Sequence, residues 1–510
     1  MTRTILATAF ALFFILSTAS AGNVGKGPGC WRTNTARQKA ASRMATQKPT
    51  DSEELTNYRG QKKGLVILAE FTDKKFVDGH DREKYNDILN TPDYTTSEGF
   101  IGSVADYFRD QSAGLFELTF DIVGPYTTMK SYKYYGQNDD DGLDLYPQEM
   151  IEEMCRAADD DVNFADYDWD HDGEVDEVFV VYAGKGEADS NQSNAVWPHM
   201  WSLEEASGQM LCLDGVNINV YACANELKAT GHINGIGTFC HEFSHCLGLP
   251  DFYDVYDSGQ FGMDDFDIMS GGSYAGNGFR PIGYTAYEKM ACGWQQPIVL
   301  GDEDVTIDNQ MPICEDGDIY IIYNDGYPNE YYLIENRQKK GWDVNYPAKG
   351  LLITHVDYDE EVWYNNIPNS VISNKDAIKN GLTCGNDHPR MTLFHADGTE
   401  NYYSIATDLY PYKQCDSLTA TSNPAATLYH KNKQGTKLMQ GAILNIKQNS
   451  NGTMSFRYRA GEQQVADAIS EVADRRRSNT IYTLDGRVAG TALKSLRHGI
   501  YLIDGKKVVR

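Results

Sequence analysis

Hydrophobic and polar positions divide this chain into stretches of different rhythm. Residues 5–16 form an apolar run behind Arg3, whereas residues 22–61 are polar, basic and without clear periodicity. Residues 64–71 are again continuously apolar, the pattern of a strand buried on both faces. A helical pattern over residues 104–109 stops near Ser112, Ala113 and Gly114, and residues 115–123 and 177–182 predict further strands. Residues 216–223 alternate, as a strand does when one face lies on a core. Over residues 236–247, Ile236, Phe239, Cys240, Phe243, Cys246 and Leu247 share one face of a predicted helix, and Gly248 suits the left-handed turn that ends it. Past residue 297 the rhythm shifts to short β segments, at residues 318–323, 331–335, 351–355, 391–395, 442–446 and 454–457, which suggests a β-sandwich. From residue 461 a charged helical stretch ends in Arg475, Arg476 and Arg477. Two hairpin patterns follow, residues 480–488 around Asp485-Gly486 and residues 499–509 around Asp504-Gly505.

The opening stretch changes the picture of where the chain works. A short basic start, an apolar run and the small residues Ala19, Ser20 and Ala21 read as a secretory signal over residues 1–21, so the mature chain is expected to begin at Gly22 and to be exported. No later stretch approaches the roughly 20 apolar residues of a membrane span. At 510 residues, two or more domains are expected. The formal charge of −28, one unit more negative once Arg3 leaves, argues against nucleic-acid binding and for solubility and divalent cations. Ten cysteines in an exported chain permit disulfides without fixing their pairing. Cys240 and Cys246 lie too far apart on one helix to bond each other and read as small core residues. Cys30 is either an ordinary thiol or disulfide partner, or a cap on the metal of a latent enzyme.

The densest chemistry lies on the helix of residues 236–247. His241 and His245, four apart, project from the same face one turn above each other and can direct imidazole nitrogens at one ion. A catalytic zinc takes three protein ligands and leaves a position for water, whose proton an adjacent carboxylate such as Glu242 can remove. After the reversal at Gly248, Asp251 can return as the third ligand. Met269, in a glycine-flanked turn, has the setting of a Met-turn beneath such a site.

With Leu249, Pro250, Asp251, Phe252, Tyr253 and Asp254 and the downstream Met269 turn, this stretch resembles the immune inhibitor A family of secreted metzincin-type zinc metallopeptidases. The resemblance covers roughly residues 60–460 and is strongest over residues 235–273. It implies an α+β fold with a metzincin-like zinc peptidase domain at residues 62–297, to which the patterns on either side add a leader or pro-segment at residues 22–61, a β-sandwich-like domain at residues 298–460 and a short β tail at residues 461–510. It implies a zinc endopeptidase acting on protein or peptide substrates, with His241, His245 and Asp251 on zinc and Glu242 as general base. It also implies that residues 216–223 form the edge strand along which an extended substrate pairs. A rival reading is a surface-binding protein with a vestigial peptidase site.

Four further features carry chemistry. Asp168, Asp170, Asp172 and Asp176, with Gly173 between them, resemble a calcium loop, although Phe179 stands where an EF-hand has its closing glutamate, so Asp176 or Glu177 must close the sphere; the plainer reading is a solvated acidic turn. His199, between Trp197 and Trp201, is more often a packed residue than a ligand. Tyr274 either hydrogen-bonds the oxyanion, as a tyrosine does in some metzincins, or covers the core. Glu335, Asn336, Arg337, His355 and Asp357, with Trp363 and Asn365, lack metal spacing and read as buried structural groups. The closing residues 499–510 resemble type IX secretion sorting signals, which implies secretion machinery as a partner; a small β appendage is the alternative.

Overall fold

The computed structural model describes residues 58–139, 142–190 and 192–461, and the backbone of four short strands beyond them. The signal and leader patterns up to residue 57, with Cys30, and the charged stretch ending at Arg477 lie outside the described residues.

Strands β1 (Gly60–Glu70), β2 (Phe116–Thr127), β3 (Val178–Lys185), β4 (His199–Ser202), β5 (Leu211–Leu213), β6 (Val216–Ile218) and β7 (Val220–Leu227) occupy the first half. Five of them make one sheet in the order β2-β1-β3-β7-β4, parallel except for β4. The apolar run of residues 64–71 is most of β1, which begins earlier, at Gly60. Its alternate side chains face opposite layers, as a pleated strand requires. Val66 and Leu68 join a core with helices α1 (Arg82–Asn90) and α2 (Val104–Gln111), whereas Leu65, Ile67 and Ala69 join another with α3 (Pro147–Ala158).

The edge-strand expectation fails. Residues 216–223 divide at Asn219 between β6, which forms a hairpin with β5, and β7, which runs inside the sheet. The edge on that side of the sheet is β4, antiparallel to β7, and it covers the outer side of a strand whose residues are almost all buried.

In the second half, β8 (Ile298–Val299), β10 (Tyr320–Tyr323), β11 (Glu330–Arg337), β12 (Gly350–Asp357) and β13 (Met391–Leu393) form a sheet in the order β13-β12-β11-β10-β8. A second sheet of β9 (Val305–Gln310), β14 (Ala442–Gln448) and β15 (Met454–Arg459) is antiparallel, in the order β14-β15-β9. Tyr320, Ile322, Tyr332, Ile334, Leu351 and Ile353 share a core with Ile307, Ile443, Met454 and Phe456 of the smaller sheet. The intervening residues Ile321, Tyr331, Leu333, Leu352, Val356 and Met391 join the core that also holds Phe252, Ile268 and Met269. The larger sheet is therefore buried on both faces, one of them against the segment that follows the histidine helix.

Beyond residue 480 the backbone forms β16 (Ile481–Thr483), β17 (Val488–Gly490), β18 (Ile500–Ile503) and β19 (Lys506–Val509), paired antiparallel as the two hairpin patterns predict. Among the described residues no helix is long and apolar enough to cross a membrane.

Candidate metal centre

Helix α4 (Ile236–Cys246) follows β7 and carries the histidine pair. Ile236, Phe239, Cys240, Phe243, Cys246 and Leu247, the predicted apolar face, are all buried in the core beneath it, and Cys240 and Cys246 are free thiols. Leu247 caps the helix, and Gly248 takes a φ of 94°, which lets the chain double back within hydrogen-bonding distance of the last turn.

That reversal brings the three candidate ligands together. His241, His245 and Asp251 are buried, and one donor atom from each lies within 4.8 Å of the others. The tautomers are set by backbone carbonyls, which can only accept. His241 Nδ1 donates to Ile268 O at 2.8 Å and His245 Nδ1 donates to Leu249 O at 2.7 Å. Both Nε2 atoms therefore face Asp251 Oδ1, at 3.2 and 3.4 Å. A tetrahedral zinc with bonds of about 2.0–2.1 Å separates its ligand atoms by about 3.3 Å, so these spacings fit that ion.

The charges here are mutually dependent. Burial disfavours the His241 imidazolium, but Asp251 and Glu242 outweigh it and carry the group to about 9. Burial also opposes the Asp251 carboxylate, yet the two histidines hold it well below the usual range. Glu242 is buried, its Oε2 has no hydrogen-bond partner, and burial, opposed by the neighbouring histidines, raises it to about 6. A carboxyl poised near neutrality beside a cation site suits proton transfer.

Met269 is fully buried in the turn below the histidines. Its N–H donates to Asp267 Oδ1 at 2.7 Å, its carbonyl accepts from Phe252 N at 2.8 Å, and the preceding carbonyl is the one that orients His241. A buried polar network braces the chain after this turn. Arg337 donates to Glu335 at 2.5 Å, Asp343 at 2.9 Å and the carbonyls of Gly283 and Tyr284, while Glu335 accepts from the Ala286 amide. The structural reading of Glu335 and Arg337 agrees with this geometry. Tyr274, 43% exposed, sits on the segment Gly271–Gly278.

In the acidic loop, Asp168, Asp170 and Asp176 bring donor atoms within 4.8 Å of one another, but Asp172 is not in that group. The left-handed backbone at His171 and Gly173 turns Asp172 so that its Oδ1 accepts from Glu174 N at 3.0 Å, while Asp168 accepts from the Asp172 and Gly173 amides. Glu177 is buried, neither of its carboxylate oxygens has a hydrogen-bond partner, and burial with Asp176 nearby pushes its pKa well up. His199 is packed, with both ring nitrogens hydrogen-bonded.

One residue that the sequence did not single out touches the centre. Asn366, beside the noted Asn365, bonds Asp251 through both ends of its amide. The two are 115 positions apart, and a contact at that separation leaves no local pattern.

Two histidines one helical turn apart and a returning aspartate could together hold a metal ion, and a buried glutamate lies next to them in the chain. Residues 53–297 match the family described as Immune inhibitor A peptidase M6, catalytic domain. The chain is 28% identical over 278 residues to the pre-pro-metalloprotease PrtV of Vibrio cholerae serotype O1, covering 45% of this chain and 30% of that one. It is 24% identical over 295 residues to Immune inhibitor A of Bacillus thuringiensis subsp. alesti, covering 47% of this chain and 41% of that one. The matched region thus spans less than half the length of these relatives.

Proposed function

We propose that this chain is an exported zinc endopeptidase. The observation that carries the reading is the convergence of His241 Nε2, His245 Nε2 and Asp251 Oδ1 within 4.8 Å, with both Nδ1 atoms already committed to carbonyls. Bound by these three, zinc supplies Lewis acidity that acidifies a water and polarises the scissile carbonyl. Glu242 takes the proton of the attacking water and returns it to the leaving amine, a role supported by its burial next to His241 with an Oε2 that has no hydrogen-bond partner. Met269 and the Ile268 carbonyl hold His241 from below, and Tyr274 hydrogen-bonds the oxyanion. The peptidase unit runs over residues 62–297, with a β-sandwich-like unit at residues 298–460. Asp168, Asp170 and Asp176 hold a structural calcium, a reading supported by the convergence of their carboxylates within 4.8 Å of one another. Export follows the signal at residues 1–21, and residues 499–510 engage secretion machinery.

The test is metal content and cleavage of unfolded casein, with and without a chelator, on the purified mature chain and on Glu242→Gln. About one zinc per chain in both proteins is expected, with chelator-sensitive cleavage reduced roughly 10²- to 10⁴-fold in the variant. Full activity in Glu242→Gln would sink the mechanism, and zinc without cleavage would favour a binding protein with a vestigial site. The same metal analysis reads calcium, and the mass of the exported chain reads whether it starts at Gly22.

A further inference from the structure

The donor set of the metal centre comes from one short stretch, but the group that fixes its aspartate does not. Asp251 turns Oδ1 to the two histidines, and its Oδ2 accepts from Asn366 Nδ2 at 2.6 Å. Its backbone N–H donates to Asn366 Oδ1 at 2.6 Å. A primary amide carries a donor and an acceptor in one plane, so it can hold a carboxylate and the N–H of the same residue at once. With both bonds made, Asp251 cannot rotate its carboxylate without breaking one of them. Asn366 is 2% exposed, and its φ of 55° aims the amide inward from a tight turn.

The loop bearing Asn366 is itself fixed to the chain around Asp251. Asn369 Nδ2 donates to Phe252 O at 2.8 Å, Ser370 Oγ accepts from Tyr256 N at 3.2 Å, and Val371 N donates to Ser258 Oγ at 2.8 Å. From behind, Asn386 Nδ2 donates to the carbonyls of Ile367, Pro368 and Ser370. All of these partners on the loop lie beyond residue 297, where the family match stops.

We infer that Asn366 is a positioning residue for the metal: it holds Asp251 Oδ1 toward the ion, so a segment outside the matched peptidase region completes the metal centre. The inference rests on the reading that His241, His245 and Asp251 bind zinc. Groups that orient a ligand from behind contribute about 10- to 100-fold in metal affinity.

The test uses the full mature chain and the variants Asn366→Gly, Asn366→Asp, Asn365→Ala and His245→Ala. Glycine suits the left-handed backbone while removing the amide, and aspartate keeps the size but has no donor for Asp251. Asn365 bonds Thr383 and Cys384 instead, so it controls for damage to the same loop. Zinc affinity is read by chelator competition, ligand geometry by the visible absorption of the cobalt(II)-substituted protein, and fold by thermal unfolding. Both Asn366 variants are expected to unfold cooperatively, bind zinc about 10- to 100-fold more weakly and show an altered cobalt spectrum, with Asn365→Ala within about threefold of wild type. Affinity within about threefold and an unchanged spectrum in both Asn366 variants would overturn the inference. So would loss of the fold in both, because the side chain would then serve the fold. If His245→Ala binds zinc as well as wild type, the metal reading itself falls. If His245→Ala loses zinc while the Asn366 variants keep it, only the role of Asn366 falls.

Discussion

At the scale of single residues, burial decides which groups carry charge. His199 Nδ1–H donates to Trp197 O at 2.6 Å, and its Nε2 accepts from Tyr221 Oη at 3.0 Å, so the neutral ring is fully used. Burial lowers its pKa to about 4, against 6.5 for the free side chain. The unfolded chain therefore takes up the proton first as pH falls. The stability this group contributes is complete above the unfolded value and is lost as pH drops toward about 4. Two and a half units correspond to about 3 kcal/mol. Denaturant unfolding of wild type and His199→Gln should show the stability gap between them narrowing by about that amount from neutral pH to about 4. A gap independent of pH would contradict the assignment.

At the scale of elements, α4 reaches its position because glycine lets it approach the segment Gly271–Gly278. A Cβ on Gly237 would lie 1.9 Å from Ser273 O, a backbone atom that cannot swing aside. Gly237→Ala should therefore destabilise the protein by about 1–3 kcal/mol, although alanine favours helix by about 1 kcal/mol. Denaturant unfolding checks this, and a midpoint equal to or above that of wild type would refute it. Elements of this kind are the part of the fold that is legible in the sequence. The apolar face of α4 and the buried run in β1 stand out because each repeats over consecutive turns or residues. His241, His245 and Asp251 are legible because eleven consecutive positions contain them. The edge strand is not legible because alternation over residues 216–223 does not reveal the break at Asn219 that divides them between a hairpin and the interior of the sheet, and β4 is too short to show a pattern. Spacing alone places Asp172 with the acidic cluster, because it does not show the left-handed backbone at His171 or the hydrogen bond of Asp172 Oδ1 with Glu174 N. Asn366 is not legible beside Asn365, since only the folded loop shows which of two adjacent asparagines faces Asp251.

At the scale of the whole molecule, the two halves are not separable by core. Phe252, Ile268 and Met269 share a hydrophobic cluster with Ile321, Leu333, Leu352, Trp363 and Met391. A chain ending at residue 297 leaves that apolar surface uncovered, and each large side chain returned to water costs about 1.5–3 kcal/mol. Such a truncation is expected to aggregate or to unfold without a cooperative transition, as read by gel filtration and a thermal melt. A monodisperse fragment with a sharp melt would show that the first half stands alone. The seam between the halves is also a strand: Ile298 N donates to Ile319 O at 2.8 Å and Leu300 N to Ile321 O at 2.9 Å. Peptide hydrolysis needs a segment that can detach and extend into a cleft, and exposed, unpaired chain at a boundary is where nicking concentrates. Among the described residues this boundary is instead hydrogen-bonded into a sheet at Ile298 and Leu300, so in a chain proposed to cut other proteins these positions of the junction are held away from the detached, extended state that cleavage requires.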